Sequence, residues 1–378
     1  MKSAQMAQVK GITDGKQLYI AFELSNKSWK LAMSNGLKIR HKSIAARDLE
    51  ACLQQVQIAK SRFGLPEDSP VFSCYEAGRD GFWIHRFLSD QGITNYVVDS
   101  ASIEVDRRFR RAKTDRLDVG KLLSMLMRYV GGERKLWSVL RVPSVQEEDD
   151  RRIDREIQRL KKERASHSNR MRSLLVLQGI TIGKINKQFA GVLERVRLYD
   201  GQPLPSGIKE EIMREYERYE LIDVHLKQLE QRKKQILDSA SRQAKQVLKL
   251  RQLRGIGDVG SWDLTFEFFG WRRFGNVKQV GGASGLAPTP WASGSRQIEQ
   301  GISKAGNARV RKLMIELSWL WLRYQPQSSL SRWYRQRFGT GGKRMRRVGI
   351  VALARKLLVA LWKYLDKGLV PEGAALKP

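Results

Sequence analysis

Four carboxylates in the first third of the chain, Glu23, Glu76, Asp115 and Asp118, have the types and spacing that metal-assisted phosphodiester chemistry requires. That chemistry needs enough negative charge to hold two divalent cations about 3.5–4 Å apart, one activating the nucleophile and one stabilising the leaving oxygen. Acidic residues at the ends of adjacent strands, with a helix crossing above them, supply such charge. Glu23 closes an apolar strand-like run, and Glu76 follows the apolar run Val71–Tyr75. Asp115 and Asp118 stand at i and i+3, so a helix puts both on one face. Singly, each has a plainer reading: a helix cap for Asp115, a first-turn acid for Asp118, a solvated strand end for Glu76.

Other candidates lie towards the C-terminus. LRGIGDVG contains Gly255, Gly257 and Gly260, a literal GxGxxG. It lacks the preceding strand and the acid about 20 positions later that a dinucleotide site needs. It reads either as a helix–hairpin–helix-like turn, with Gly255 and Gly257 letting backbone N–H groups approach a phosphate, or as a tight interhelical turn. The stretch GLAPTPWASGSRQIEQGISKAGNARVRK is rich in Gly, Ser and Pro and reads as loop-dominated, with Ser293, Ser295 and Ser303 in it. Arg332, Arg335, Arg337, Lys343, Arg344, Arg346 and Arg347 cluster around Trp333, Tyr334 and Phe338. Cations interleaved with aromatics suit backbone contact plus stacking on nucleic acid. GTGGKRM fails the P-loop spacing. Trp319, Trp321 and Trp362 read as core.

The elements that position these residues fall into three segments. Residues 1–146 read as alternating strands and helices: strands at 17–24, 29–33, 37–41, 71–75 and 95–98, helices at 47–62, 80–91 and 115–130. Three early strands followed by alternating α and β describe an RNase H-like layout, and other α/β folds share the pattern. Residues 147–250 are helical. Ile153, Ile157, Leu160, Arg164, His167, Met171 and Leu174 step by four and three, as do Tyr219, Ile222, Leu226, Leu229, Lys233, Ile236 and Ala240. With a linker at 201–207 between them, they suggest an antiparallel coiled-coil hairpin, a spacer or dimerisation arm, against a plain bundle. Residues 251–378 open with the glycine turn and become mainly helical and basic.

Charge narrows the function. The 378 residues carry 70 Lys plus Arg against 39 Asp plus Glu, a formal net charge of +31. About half of that excess falls in the last third. Such a balance calls for a polyanionic partner, by default nucleic acid, although a non-catalytic binder shares it. The two cysteines, Cys52 and Cys74, form no CxxC pair, which excludes a disulfide framework and a thiolate zinc site and suits a reducing cytoplasm. The four histidines show no zinc-ligand spacing. The first residues lack a signal core, and the apolar run from Val348 to Trp362 is broken by Arg355 and Lys356, so no membrane span is expected.

CYEAGRDGFW, RRAKTDRLDVGKLL, LRGIGDVG, GLAPTPWASGS and QGISKAGNARVRKLM, in this order, resemble the transposases of the insertion-sequence 110 family, the branch close to insertion sequence 1111. The likeness covers nearly the whole chain. It implies a RuvC-like N-terminal domain with a DEDD acidic set holding Mg²⁺ (or Mn²⁺). Glu76, Asp115 and Asp118 fall on the second to fourth acidic positions. The first is normally Asp and falls on Glu23, whose side chain reaches about one bond (roughly 1.5 Å) further. The resemblance also implies a nucleophilic serine in the motif that WASGS matches, where Ser293 takes the place and Ser295 is the alternative. With no histidine nearby, metal or arginines would activate it, and Lys304, Arg309 and Arg311 become phosphate-binding candidates.

The reading is therefore an α/β RNase H-like (RuvC-like) domain, a helical hairpin and a mainly α C-terminal domain, acting together as a transposase–recombinase. Partners implied are DNA, a structured guide RNA from the element, and further copies of the chain as a dimer or tetramer, on the bacterial nucleoid. The rivals are a RuvC-like structure-specific nuclease without a covalent intermediate, and a nucleic-acid-binding protein whose metal site is lost through Glu23.

Overall fold

The computed structural model describes residues 16–78, 80–103, 115–293 and 296–377, without the side chains of 101, 115–118, 290–293 and 296–300. It divides into two compact units, Met1–Pro143 and Ser144–Pro378.

The first unit is mixed α/β. Strands β1 (Leu18–Leu24), β2 (Ser28–Ser34), β3 (Ile39–Ala45), β4 (Val71–Glu76) and β5 (Thr94–Val98) form one sheet in the order β3-β2-β1-β4-β5. The first three pair antiparallel, whereas β4 runs parallel to β1 and β5 parallel to β4. Helices α1 (Leu49–Phe63), α2 (Trp83–Asp90) and α3 (Asp115–Val130) cover it. Successive strand side chains point to opposite faces. In β1, Leu18, Ile20 and Phe22 therefore enter one core with Val56 of α1 and Leu88 of α2, while Tyr19 and Ala21 enter another with Val119, Leu122 and Leu126 of α3. A strand buried on both faces reads as a continuous apolar run rather than an alternating one. The third strand begins at Ile39, later than the pattern suggests. Asn35 Oδ1 accepts from the N–H groups of both Leu37 and Lys38, and this turn leaves Leu37 exposed.

The second unit opens on a capping box. Ser144 accepts from the Glu147 N–H, and the Glu147 carboxylate accepts from the Ser144 N–H. Helix α4 (Val145–Val176) follows, then the short α5 (Phe189–Arg195) and α6 (Ser206–Asp238). The ion pairs Asp154–Lys233, Arg164–Asp223, His167–Glu215 and Arg170–Glu211 run in opposite order along α4 and α6, so the two long helices are antiparallel. Arg164, His167 and Lys233, the polar positions that interrupt the apolar stripes, each find a partner on the facing helix. At one end Met171, Leu175, Phe189, Ile212 and Tyr216 make a core of their own. At the other, Ile157, Leu160 and Leu226 pack on Trp262 and Phe266.

Helices α7 (Arg242–Arg251) and α8 (Asp258–Leu264), a π-helical turn at Thr265–Phe269, α9 (Val277–Ser284), strands β6 (Pro288–Ser293) and β7 (Arg296–Ile302), α10 (Ala308–Tyr324), α11 (Ser329–Phe338) and α12 (Lys343–Lys367) complete the unit. Their core includes Leu250, Phe268, Met314, Trp321 and Leu357. Trp321 shares a stripe of α10 with Val310, Met314 and Leu317. Trp319, two residues away on a helix, faces outward and is 48% exposed, so it is not the core residue expected. The stretch containing Ser293 also corrects the sequence reading. It is an antiparallel hairpin, not loop, and its prolines are tolerated because a two-stranded ribbon leaves each strand an unpaired edge. Among the described residues no helix is long and apolar enough to cross a membrane.

Candidate functional site

Two of the four acidic candidates come together in the first unit. The register pairs Phe22 of β1 with Tyr75 of β4, so the next position along each strand is Glu23 and Glu76. By alternation both belong to the face of Tyr19, Ala21 and Cys74, which α3 covers. Cys74 Sγ donates to the Leu122 carbonyl at 3.8 Å, tying α3 to β4. Asp115 opens α3, and helical spacing sets positions 115, 118 and 122 on one stripe. The Asp115 and Asp118 side chains lie outside the described residues. Glu23 is half-buried and opposite Lys30, and Glu76 is exposed. Carboxylate oxygens at a strand edge open to solvent are the donors that Mg²⁺ or Mn²⁺ takes. Among the described residues no three His, Cys, Asp or Glu side chains converge on one point. The cysteines do not compete as ligands: burial pushes the Cys52 thiol up to about 11 and the Cys74 thiol higher still.

In the second unit Ser293 is the last residue of β6 and pairs with Arg296 across the hairpin end. Ser295 lies outside the described residues. Ser303 is at the root, where its N–H donates to the Ala287 carbonyl at 2.9 Å. There the segment after β7 is laced to the end of α9: the Lys304 N–H donates to Gly285 O at 3.1 Å and the Asn307 N–H to Ala283 O at 2.9 Å. Arg311 Nη1 donates to the carbonyls of Lys304 and Ser284 at 3.0 and 3.3 Å. Its guanidinium thus braces the root. Arg309 is also engaged, donating to Gln158 Oε1 at 2.8 Å.

Lys304 has a different role. Its backbone is left-handed, φ +56°, in a residue that is not glycine, and such outliers persist where surrounding structure imposes them. Lys304 lines a cavity of about 1050 Å³ at the hairpin root, shared with Arg347 of α12. Arg355, Lys356 and Lys363 line it as well, over apolar walls that include Ile302, Val351 and Val359. Those three cations were missed in the sequence. Arg355 and Lys363 stand on the four-residue row 347, 351, 355, 359, 363, and Lys356 on the neighbouring row 348, 352, 356, 360. Arg355 and Lys356 had instead served as interruptions of an apolar run.

The start of α12 concentrates more positive charge. Lys343, Arg344, Arg346 and Arg347 are exposed in its first five residues, with no acidic residue there and Gly342 as cap. The helix dipole is positive at this end, so each cation costs about 0.3–1 kcal/mol where an acid would stabilise. An anionic partner offsets that cost. Arg346 Nε also donates to Gly341 O at 3.1 Å, and Arg335 is bonded to the Pro326 carbonyl. In the glycine turn, Gly255 is left-handed (φ +87°), and a Cβ there would press within 3.4 Å of the Leu320 carbonyl. What calls for glycine there is the positive φ, with the turn at contact distance from α10. Gly257 caps α8, is exposed and has open space around it, beside an Arg251–Asp258 ion pair.

A buried polar network joins the long hairpin to this region. Lys233 Nζ is 3.0 Å from Asp154 Oδ1, Gln158 bridges Asp154 and Asp263, and Arg155 holds buried Glu267 through two hydrogen bonds. Burial, then the hydrogen bond to Asp154, pushes the Asp263 carboxyl up to about 8. Burial also opposes ionisation of Asp154, but hydrogen bonds from Asp263 and Lys233 hold it below the usual range. Asp154 therefore carries the charge opposite Lys233 at neutral pH.

Comparison with known proteins bears on what these sites serve. Residues 248–333 match the model of the transposase IS116/IS110/IS902 family. The y4rJ protein of Sinorhizobium fredii, which carries a transposase name, is 41% identical over 377 residues, covering 95% of this chain and 94% of that one. The transposase for insertion sequence element IS1328 of Yersinia enterocolitica is 24% identical over 217 residues, covering 56% of this chain and 61% of its own.

Proposed function

Because the chain belongs to the transposase IS116/IS110/IS902 family, we propose that it cuts and rejoins DNA at the ends of an insertion sequence through Ser293 and the acidic set Glu23, Glu76, Asp115 and Asp118. The observation that carries the acidic half is the placement of Glu23 and Glu76 side by side at the carboxyl ends of parallel β1 and β4, on the face of α3. The strand order supports an RNase H-like, RuvC-like reading of this unit: three antiparallel strands, then two parallel ones reached through helices. The four carboxylates would hold Mg²⁺ or Mn²⁺, which supplies Lewis-acid stabilisation of charge at the phosphate.

The serine half rests on Ser293 at the end of a two-stranded ribbon, in register with Arg296. In the first step Ser293 Oγ forms a bond to phosphorus, the bridging P–O bond to one strand end breaks, and the serine proton leaves with the released hydroxyl. In the second step a hydroxyl of the joining strand displaces the serine, which recovers its proton. Lys304, Arg347 and the start of α12 bind and orient the backbone. Gly257 offers a backbone N–H at the surface. The same basic surfaces suit a structured RNA of the element that guides target and donor choice, and several copies of the chain assemble on the DNA.

The test uses the purified protein, element-end DNA, the element's noncoding RNA and Mg²⁺, with a denaturing gel reading covalent protein–DNA adducts. Wild type should give an adduct that both Ser293→Ala and Asp115→Ala lose. Cleavage without adduct, unchanged in Ser293→Ala, would overturn the serine step and leave a nuclease.

A further inference from the structure

We infer that a second cavity, away from the Ser293 hairpin, binds a nucleotide of an unpaired strand. The cavity is about 820 Å³ and is formed by α7, the loop after the π-helical turn and the end of α12. That volume suits a ligand the size of a nucleotide. Arg242, Lys245 and Lys249 line it from α7, at helical spacing that spans about 10 Å. Arg273 and Phe274 face them, and Trp362 contributes from α12. Asp366 is the one carboxylate in the lining. No ion pair engages Arg242, Lys245 or Arg273 among the described residues. Lys249 Nζ lies 5.0 Å from the Tyr364 ring centre.

Two chemical requirements follow. The cations call for an anion, and a row of them suits consecutive phosphates. Gln246 adds the second. It lines the same cavity, and its buried side-chain carbonyl has no hydrogen-bond partner among the described residues. An acceptor left this way is destabilising until a donor reaches it. A phosphate diester has only acceptors and cannot satisfy it. A base N–H or a ribose hydroxyl can, once the Gln246 side chain turns its amide to the cavity surface. The aromatic lining by Trp362 and Phe274 suits a flat base that has left its stack. Anion, donor and flat apolar face together specify a nucleotide whose base has left its stack, which a stacked duplex does not present. The inference extends the nucleic-acid reading above but needs neither Ser293 nor a metal ion.

Binding is measured on the full chain without divalent metal, so that the strand chemistry cannot enter. Probes are labelled 12-mers of dT and of rU, an abasic 12-mer and a 12-base-pair duplex. Combined Arg242→Ala, Lys245→Ala and Arg273→Ala should weaken the base-bearing single strands about tenfold or more at moderate salt. Its salt slope should fall by about 2, as expected for three single-strand phosphates. Duplex binding should change less than about twofold. Gln246→Leu should weaken base-bearing strands and leave the abasic strand unchanged. Preference for rU assigns the ligand to RNA, preference for dT to a displaced DNA strand, and parity to either. Equal losses on duplex and single strand, no loss at all, or an abasic strand bound as tightly as a base-bearing one would overturn the inference. Circular dichroism confirms that each variant is folded, and an adduct assay that fails would leave this result standing.

Discussion

Gly285 and Gly306 interlock: a Cβ on Gly285 would overlap the Ala305 carbonyl, and one on Gly306 would overlap the Ala283 carbonyl. Both have positive φ, +68° and +95°. They close the root of the hairpin that carries Ser293. Gly306→Ala should therefore destabilise the second unit by about 2–3 kcal/mol. Gly301→Ala is the control, because it shares the positive φ (+91°) but has no atom within 4 Å. It should cost about 1 kcal/mol, from backbone strain alone. Thermal unfolding of the two variants separates clash from strain, and equal losses would refute the interlock.

Lys304 tests strain held for binding. A lysine in the left-handed region is disfavoured by about 1 kcal/mol relative to glycine. Lys304→Gly should leave the melting temperature unchanged or raise it. The same change removes a cation from the cavity shared with Arg347. DNA binding should weaken, with the salt slope falling by about 1. A variant that melts lower and binds with an unchanged slope would assign Lys304 a structural role only.

The Asp154–Asp263 pair sets a pH dependence. The Asp263 carboxyl titrates at about 8 in the fold, raised first by burial and then by Asp154, and near 3.9 when unfolded. Its contribution to stability is whole below about pH 4 and is lost as pH rises through about 8. Asp154, held low, contributes in the opposite sense: its stabilisation is present above about pH 4 and lost as pH falls below that. Wild type should therefore melt lower at pH 9 than at pH 6. Asp263→Asn, which keeps a hydrogen-bond donor towards Asp154, should flatten that decline. A variant that declines in parallel with wild type would place the pH dependence elsewhere.

The acidic edge of the sheet makes a fourth prediction. Glu76→Gln should lower strand cleavage about 100-fold or more, a loss of about 2.7 kcal/mol of transition-state stabilisation, with little change in melting temperature because the residue is exposed. Glu23→Asp should retain cleavage or raise it, whereas Glu23→Gln should behave as Glu76→Gln. A gel assay of element-end DNA in Mg²⁺ decides. Full activity in both Gln variants would remove these residues from the chemistry.

How much of this was legible in the sequence depends on the range of the interaction. β1, β4 and β5 showed as apolar runs, and α3, α4 and α6 as helical periods, because burial of a face repeats locally along the chain. Arg164, His167 and Lys233 looked like flaws in their stripes. Their partners Asp223, Glu215 and Asp154 lie on the other helix, and no local period reports a partner there. The length of the Asn35 turn, which moves the start of β3 from 37 to 39, and the β6–β7 ribbon were hidden for another reason. Gly, Pro and Asn punctuate hairpins and loops alike. Within the site, Glu23 and Glu76 were found by type, but their adjacency comes from parallel pairing, which has no sequence signature of its own. Lys304 was nameable from its motif. Arg355, Lys356 and Lys363 were not, because only the folded α12 turns them towards it.

The long hairpin of α4 and α6 has a further consequence. Thirty-two residues of α4 span about 48 Å, and the core at its far end shares no residue with the one at its root. The arm works as a ruler whose graduations are helical turns. Seven residues added to each helix would move the far end outward by about 10.5 Å with the facing order of charges kept. One residue added to one helix would swing everything beyond it through about 100° and set Arg164 and His167 against the wrong neighbours. Its length should therefore vary among functional versions of the molecule in paired steps of whole turns, while the composition of its far end drifts freely.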